Sequence, residues 1–120
     1  MKSLGVLCIG GLQTHQENHA AGFHNDERSH IVAVADEADV DERRRDLNVR
    51  LAEQYGVPYI EGIDEALALA GVDIVSMCAD VEYRHRVSIA CAKAGKILFL
   101  DKPLASKAGL AESMVEAIAE

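Results

Sequence analysis

Short apolar runs alternate with amphipathic segments along the whole chain. The apolar runs predict strands within 2–11, 30–35, 59–60, 73–78 and 97–100, and the amphipathic segments predict helices at about 16–23, 41–55, 63–70, 84–94 and 107–120. Strands that are apolar throughout are typical of a parallel sheet with helices on both faces. With right-handed crossovers, this order predicts an α/β fold, a Rossmann-like doubly wound sheet with strand order 3-2-1-4-5. Its ligand crevice lies at the carboxyl ends of strands one and four.

The first strand runs straight into a glycine pair and a helix start, where the first helical N–H groups can hold a pyrophosphate. The dinucleotide fingerprint G-x-G-x-x-G is incomplete, since only Gly10 is in place and Leu12 and His15 occupy the other two glycine positions. Gly11 is an alternative point of close approach, in a loop shifted by one residue. A tight turn that binds no nucleotide fits the same residues. The candidate cofactor residues of this loop are Gly10, Gly11, Leu12, Gln13 and His15.

Asp36 ends the second predicted strand, roughly 25 residues after the glycine pair. A carboxylate at this position can accept hydrogen bonds from both hydroxyls of an adenosine ribose, and it repels a 2′-phosphate. Asp36 therefore favours NAD over NADP, although a turn or helix-capping aspartate is the alternative. Arg43, Arg44 and Arg45 follow on a solvated helix face, from which one of them could reach back to a phosphate.

Lys102 follows the predicted strand 97–100 at the same edge of the sheet. Pro103 restricts it to an extended conformation. A lysine there can donate a hydrogen bond to a substrate oxygen, or act as a proton donor if burial lowers its pKa. The alternative is a surface lysine paired with Asp101.

The net charge of −8, from 12 basic and 20 acidic residues, argues against nucleic acid or an anionic membrane as a partner. Cys8, Cys78 and Cys91 lie in apolar runs without C-x-x-C spacing, which predicts three reduced, buried thiols in a cytoplasmic protein. No apolar stretch is long enough to span a bilayer, and the N-terminus enters the first strand without room for a signal peptide. His15 and His19 have the i, i+4 spacing of a metal chelate, but no third ligand is indicated and we expect no metal.

The segment AGKILFLDKPLA at 94–105 resembles the AGKHV-x-x-EKPLA segment of the glucose–fructose oxidoreductase / inositol dehydrogenase (Gfo/Idh/MocA) family, with Asp101 in place of the usual glutamate. The VAVAD that ends at Asp36, the AEQYGVP of 52–58 and the DIVSMC of 73–78 are also similar, so the resemblance covers nearly the whole chain. The resemblance implies an NAD(P)-dependent oxidoreductase that acts on a sugar, cyclitol or related small hydroxy compound by hydride transfer.

The same resemblance implies that Lys102 is catalytic, beside the nicotinamide and in contact with the substrate hydroxyl. It also implies that Asp101, Lys102, Pro103, Cys78 and Ala79 line the cofactor site. The sequence departs from the family at Cys78-Ala79-Asp80, which replaces C-T-P, and at Arg84, which aligns where a histidine often stands, with His85 one place off.

The resemblance extends only to the cofactor-binding half of the family's fold. We therefore expect residues 1–120 to form one dinucleotide-binding domain, inactive without the family's C-terminal substrate domain. An apolar surface left by that domain would favour a homo-oligomer. The altered glycine loop keeps one alternative open, a Rossmann-like nucleotide-binding or assembly module without catalytic activity.

Overall fold

Strands and helices alternate along the computed structural model, which describes residues 3–79 and 81–100. The described strands are β1 (Leu4–Ile9), β2 (Ser29–Asp36), β3 (Tyr59–Glu61), β4 (Ile74–Met77) and β5 (Ile97–Leu100). The described helices are α1 (Gln16–Asn25), α2 (Glu42–Tyr55), α3 (Ile63–Leu67) and α4 (Val81–Lys93). All strand pairs are parallel and the sheet order is β3-β2-β1-β4-β5, which confirms the predicted doubly wound fold. The helix predicted at 107–120 lies outside the described residues.

Side chains of β1 alternate between two apolar layers, one on each face of the sheet. Val6 and Cys8 face α1 and α2, whereas Leu7 and Ile9 face α3 and α4, and all four are completely buried. Burial on both faces explains why the strand is apolar at every position and does not alternate with polar residues.

A bulge interrupts the pairing of β1 with β2. Val6 pairs with Ile31 and Leu7 with Ala33, so Val32 has no partner of its own on β1. Val32 and Ala33 both pack on the α3 and α4 side. The strand then resumes its alternation, and Asp36 contacts a side chain of α2.

The helix ends follow the chemistry of their terminal residues. Asp41 Oδ1 accepts the backbone N–H of Arg44 at 2.7 Å and so caps α2, and Gly56 ends the helix with φ +65°. Helix α3 is shorter than the predicted segment 63–70, because residues after Leu67 form a turn that leads to Gly71 at φ +86°.

Cys8, Cys78 and Cys91 are buried and free of disulfides, as predicted. Apolar side chains are exposed on the edge strand β5, where Ile97 is 61% and Phe99 is 44% exposed. Self-association through such a surface stays a prediction. No helix in the described part of the chain combines the length and the apolar character needed to cross a bilayer.

Candidate cofactor site

Gly10 closes the end of β1 against the end of β4. Its backbone has φ +90°, and a Cβ at this position would lie 2.4 Å from the carbonyl oxygen of Cys78. The Gly10 N–H donates to the carbonyl of Ala35 at 3.0 Å, which ties the turn to β2 as well. Glycine is therefore required here both by conformation and by space.

Gly11 packs against α2. A Cβ on Gly11 would lie 2.6 Å from both the Cα of Asn48 and the carbonyl oxygen of Leu47. The next N–H, that of Leu12, points to the same Leu47 carbonyl at 3.4 Å. The close approach that Gly11 permits is thus an approach to α2, a contact that the sequence did not indicate.

Gln13 and His15 hold the left-handed backbone conformations of the loop, with φ of 65° and 72°. A side chain in this region costs about 1–2 kcal/mol relative to glycine. The Thr14 hydroxyl between them donates to the carbonyl of Gly11 at 2.5 Å and accepts the N–H of Gln16 at 3.3 Å. The strained loop is therefore held by a local hydrogen-bond bridge that also meets the start of α1.

Two arginines of α2 reach back to the loop. Arg43 donates to the side-chain oxygen of Gln13, and Arg44 donates to the carbonyl of Leu12 at 3.3 Å. Arg45 instead pairs with Glu61 at 2.7 Å. Positive charge therefore lies beside the start of α1, whose N–H groups and dipole also attract an anion.

Asp36 is only 4% exposed at the carboxyl end of β2. Its Oδ1 accepts the N–H of Glu37 at 2.9 Å, and its Oδ2 accepts Nδ2 of Asn48 at 3.0 Å. The cap of α2 is Asp41, so the helix-capping alternative for Asp36 does not apply.

A groove of about 390 Å³ lies beside Asp36, at the carboxyl ends of β2 and β3. An ion pair between Glu37 and Arg86, with two N–H donors on two carboxylate oxygens, is part of its lining. Ala38, Ala90 and Ile63 also line it. The groove is thus lined by both apolar and charged residues next to the predicted ribose-binding acid.

Two buried amides were missed by sequence reasoning. Gln16 is completely buried, and its Nε2 donates to the carbonyls of Ile9 at 2.9 Å and Ser76 at 2.8 Å, while its Oε1 accepts the Ser76 hydroxyl at 2.8 Å. Asn48, also completely buried, binds Asp36. A signal for Asn48 exists, because it lies on the buried stripe of α2 with Leu51, and a polar residue on such a stripe is informative.

The end of β4 is also buried, with Cys78 and Ala79 at 1% and 2% exposure. Arg84 donates to the carbonyl of Ala79 through Nε at 3.1 Å and Nη2 at 2.8 Å, so it secures the strand end from α4. Of the predicted site residues, Asp101, Lys102 and Pro103 lie outside the described residues. Within 3–79 and 81–100 there is no cluster of three histidine, cysteine or acidic side chains that could hold a metal ion.

These elements fit a dinucleotide. The helix start and the nearby guanidinium groups suit a pyrophosphate, and Asp36 beside the groove suits an adenosine. The chain belongs to the Gfo/Idh/MocA oxidoreductases, the oxidoreductase family with an NAD-binding Rossmann fold, which matches residues 4–120. It is therefore an NAD(P)-binding Rossmann domain of an oxidoreductase, as the resemblance implied.

Among its relatives is a 4-carboxy-2-hydroxymuconate-6-semialdehyde dehydrogenase from Sphingobium sp., 29% identical over 112 residues, which cover 92% of this chain and 33% of the relative. GenD2 from gentamicin A biosynthesis, solved with NAD, is 27% identical with a TM-score of 0.84, and the match covers 99% of this chain and 32% of GenD2. KijD10, a 3-ketoreductase from Actinomadura kijaniata solved with NADP and TDP-benzene, shares the fold at 21% identity and a TM-score of 0.80, covering 98% of this chain and 35% of KijD10. The chain thus spans about a third of the length of these relatives.

Proposed function

We propose that this chain is the cofactor-binding part of an NAD-dependent oxidoreductase. The observation that carries the preference for NAD is the Asp36 carboxylate, buried beside the glycine turn and held by two N–H donors. Ribose hydroxyls can donate to such a carboxylate, whereas a 2′-phosphate would meet a fixed negative charge. Relatives are known with NAD and with NADP, so this residue is the basis for choosing between them.

The described residues suggest how the cofactor is held. The groove beside Glu37 and Ala38 is the proposed adenine site, and the pyrophosphate would lie at the start of α1 with Arg43 and Arg44 nearby. When bound, the dinucleotide supplies the capacity to transfer a hydride. The residues of the chain itself bind and orient the dinucleotide and exclude water from it.

Lys102 is the proposed catalytic residue of this chain. Strand β5 runs parallel to β4 and ends at Leu100, at the same edge of the sheet as Gly10. Lys102 follows two residues later, in the DKPLA segment that resembles the family's. In this role its ammonium group donates a hydrogen bond to the substrate oxygen and stabilises negative charge that develops there.

The proposed substrate is a small hydroxy or carbonyl compound such as a sugar or cyclitol. We propose that residues 1–120 bind cofactor but turn over no substrate without a substrate domain, since the relatives are about three times as long. The buried thiols support a cytoplasmic location, and exposed Ile97 and Phe99 support a homo-oligomer.

A titration of the protein with NADH and, separately, NADPH tests the cofactor assignment. The expected result is saturable binding, tighter for NADH, and a loss of about tenfold or more in NADH affinity in Asp36→Ala, because hydrogen bonds to a charged group are removed. Asp46→Ala, which removes an exposed aspartate of α2, is the matched control and should bind as the wild type does. Binding of neither dinucleotide would contradict the proposal and favour the non-catalytic module.

A further inference from the structure

We propose that Asn48 is a positioning residue for cofactor choice: it orients the Asp36 carboxylate and thereby sets the preference for NAD over NADP. This inference rests on the proposed function. No property of the glycine fingerprint or of Asp36 alone requires an amide on α2.

The small exposure of Asp36 makes its orientation decisive. With 4% of the residue exposed, only a small part of the carboxylate is accessible to a ribose. A rotation of the side chain would change which part that is. The contact of Oδ2 with Asn48 Nδ2, at 3.0 Å, opposes this rotation, while the Glu37 N–H fixes Oδ1 at 2.9 Å.

Asn48 is itself fixed. Its side chain is completely buried. Its Cα lies so close to Gly11 that a Cβ on Gly11 would be only 2.6 Å from it. The neighbouring Leu47 and Leu51 anchor the same helix face in the core. Asn48 therefore delivers its N–H from a rigid helix and links the ribose-binding acid to the glycine loop.

Packing alone does not explain why an amide is buried at position 48 beside Asp36. Asn48 Oδ1 and the hydroxyl of Tyr59 are both buried, and neither has a hydrogen bond of ordinary geometry within the described residues. Burial raises the pKa of Tyr59, its contact with the Asn48 side chain lowers it, and the nearby negative charges of Asp36 and Glu61 raise it. An apolar side chain would avoid the unfavourable burial of an acceptor without a well-formed hydrogen bond at position 48. Unlike an apolar side chain, the amide of Asn48 donates an N–H to Asp36.

The test measures the ratio of the NADPH and NADH dissociation constants in Asn48→Leu and Asn48→Asp. Both variants remove the donor, one with an apolar group of similar size and one with an isosteric group. We expect the ratio to fall about tenfold or more, chiefly because NADH binds more weakly. Asn25→Leu, which changes an exposed asparagine at the end of α1, should leave the ratio unchanged.

A double variant keeps the test valid if the single variants unfold. Asp36→Asn with Asn48→Asp exchanges the amide and the carboxylate, so the hydrogen bond and the total charge remain while the charge moves from β2 to α2. We expect this protein to fold and to lose the preference for NADH. A double variant that retains the wild-type preference would overturn the proposal.

The outcomes separate the two proposals. If the wild type binds neither dinucleotide, the proposed function fails and this inference fails with it. If the wild type prefers NADH and folded Asn48 variants weaken NADH and NADPH equally, only the role of Asn48 is overturned, because a purely structural residue would affect both cofactors alike. A lowered ratio in folded Asn48 variants supports the assignment.

Discussion

Two buried amides flank β1 on the same face of the sheet, and they differ in how fully their hydrogen-bonding groups are used. Gln16 bridges β1 and β4 with three hydrogen bonds, and both of its polar atoms have partners. The Asn48 side chain donates one hydrogen bond, to Asp36, and its oxygen has no hydrogen bond of ordinary geometry among the residues at 3–79 and 81–100. The hydrogen-bond network of Gln16 is closed, because both polar atoms of its side chain are used. The network of Asn48 is incomplete at the amide oxygen.

This difference separates a contribution to stability from a contribution to function. A closed network of buried hydrogen bonds rigidifies the structure around it, and Gln16 joins the two strands that define the crevice. An incomplete network stabilises the fold less, so the presence of Asn48 is better explained by a role at Asp36. The comparison predicts that stability depends mainly on Gln16, and cofactor preference mainly on Asn48.

The largest expected effect is that of Gln16→Leu on stability. The substitution leaves the Ser76 hydroxyl without its acceptor and removes a donor from two strand carbonyls, of which that of Ile9 still accepts the Cys78 N–H at 2.9 Å. Since an unmet buried group costs about 1–3 kcal/mol, we expect a loss of about 2–4 kcal/mol. Denaturant unfolding measures it, with Gln54→Leu on the exposed side of α2 as the control. A loss below about 1 kcal/mol, or a shifted NADH preference in the folded variant, would break the comparison.

Gly11→Ala should have the next largest effect, and it should disturb the contacts of Asn48 and leave those of Gln16 unchanged. A new Cβ would meet the backbone of Leu47 and Asn48 at 2.6 Å, so α2 must move away at an expected loss of about 1–3 kcal/mol and a lowered preference for NADH. The matched control is Gly22→Ala in α1, where a Cβ meets nothing within 4 Å. This control should gain about 0.5–1 kcal/mol through helix propensity, and similar losses in both variants would contradict the assigned clash.

The smallest effect concerns the thiol of Cys8, which lies on β1 directly opposite Ser76. Burial, and to a lesser degree charge on Cys78, raises the pKa of Cys8 to about 12. At pH 8, four pH units lower, the thiolate fraction is about one in ten thousand, so alkylation of the folded protein should be very slow. Gln16→Leu should accelerate labelling of Cys8 more than Asn48→Leu does, as mass spectrometry of alkylated peptides can measure. Equal acceleration would weaken the distinction between the two amides.

The sequence predicted most of the fold because strand order and helix position follow from apolar periodicity. The continuous runs around Cys8 and Val75 and the caps at Asp41 and Gly56 are local signals, and the structure confirms the elements they predict. The sequence also places Asp36 at the carboxyl edge of the sheet, because it ends a predicted strand, and its role in ribose binding stays a prediction.

The parts of the site that escaped prediction depend on long-range contacts or on backbone conformation. Gln16 reaches Ser76 across 60 residues, and Asn48 reaches Asp36 from another element, so neither pairing has a local signature. Gln13 and His15 adopt left-handed conformations. Such conformations are uncommon for residues other than glycine, so the residue types do not predict them.

Val32 allows β2 to carry one residue more than the facing segment of β1. An inserted residue normally turns every later side chain of a strand to the opposite face. Here Val32 and Ala33 share one face, so the insertion is absorbed at a single step and Val34 onward keep their register. Asp36 consequently remains level with the glycine turn. The residue that lies level with the glycine turn is therefore set by the sheet register, and without the bulge Ala35 would lie there in place of Asp36.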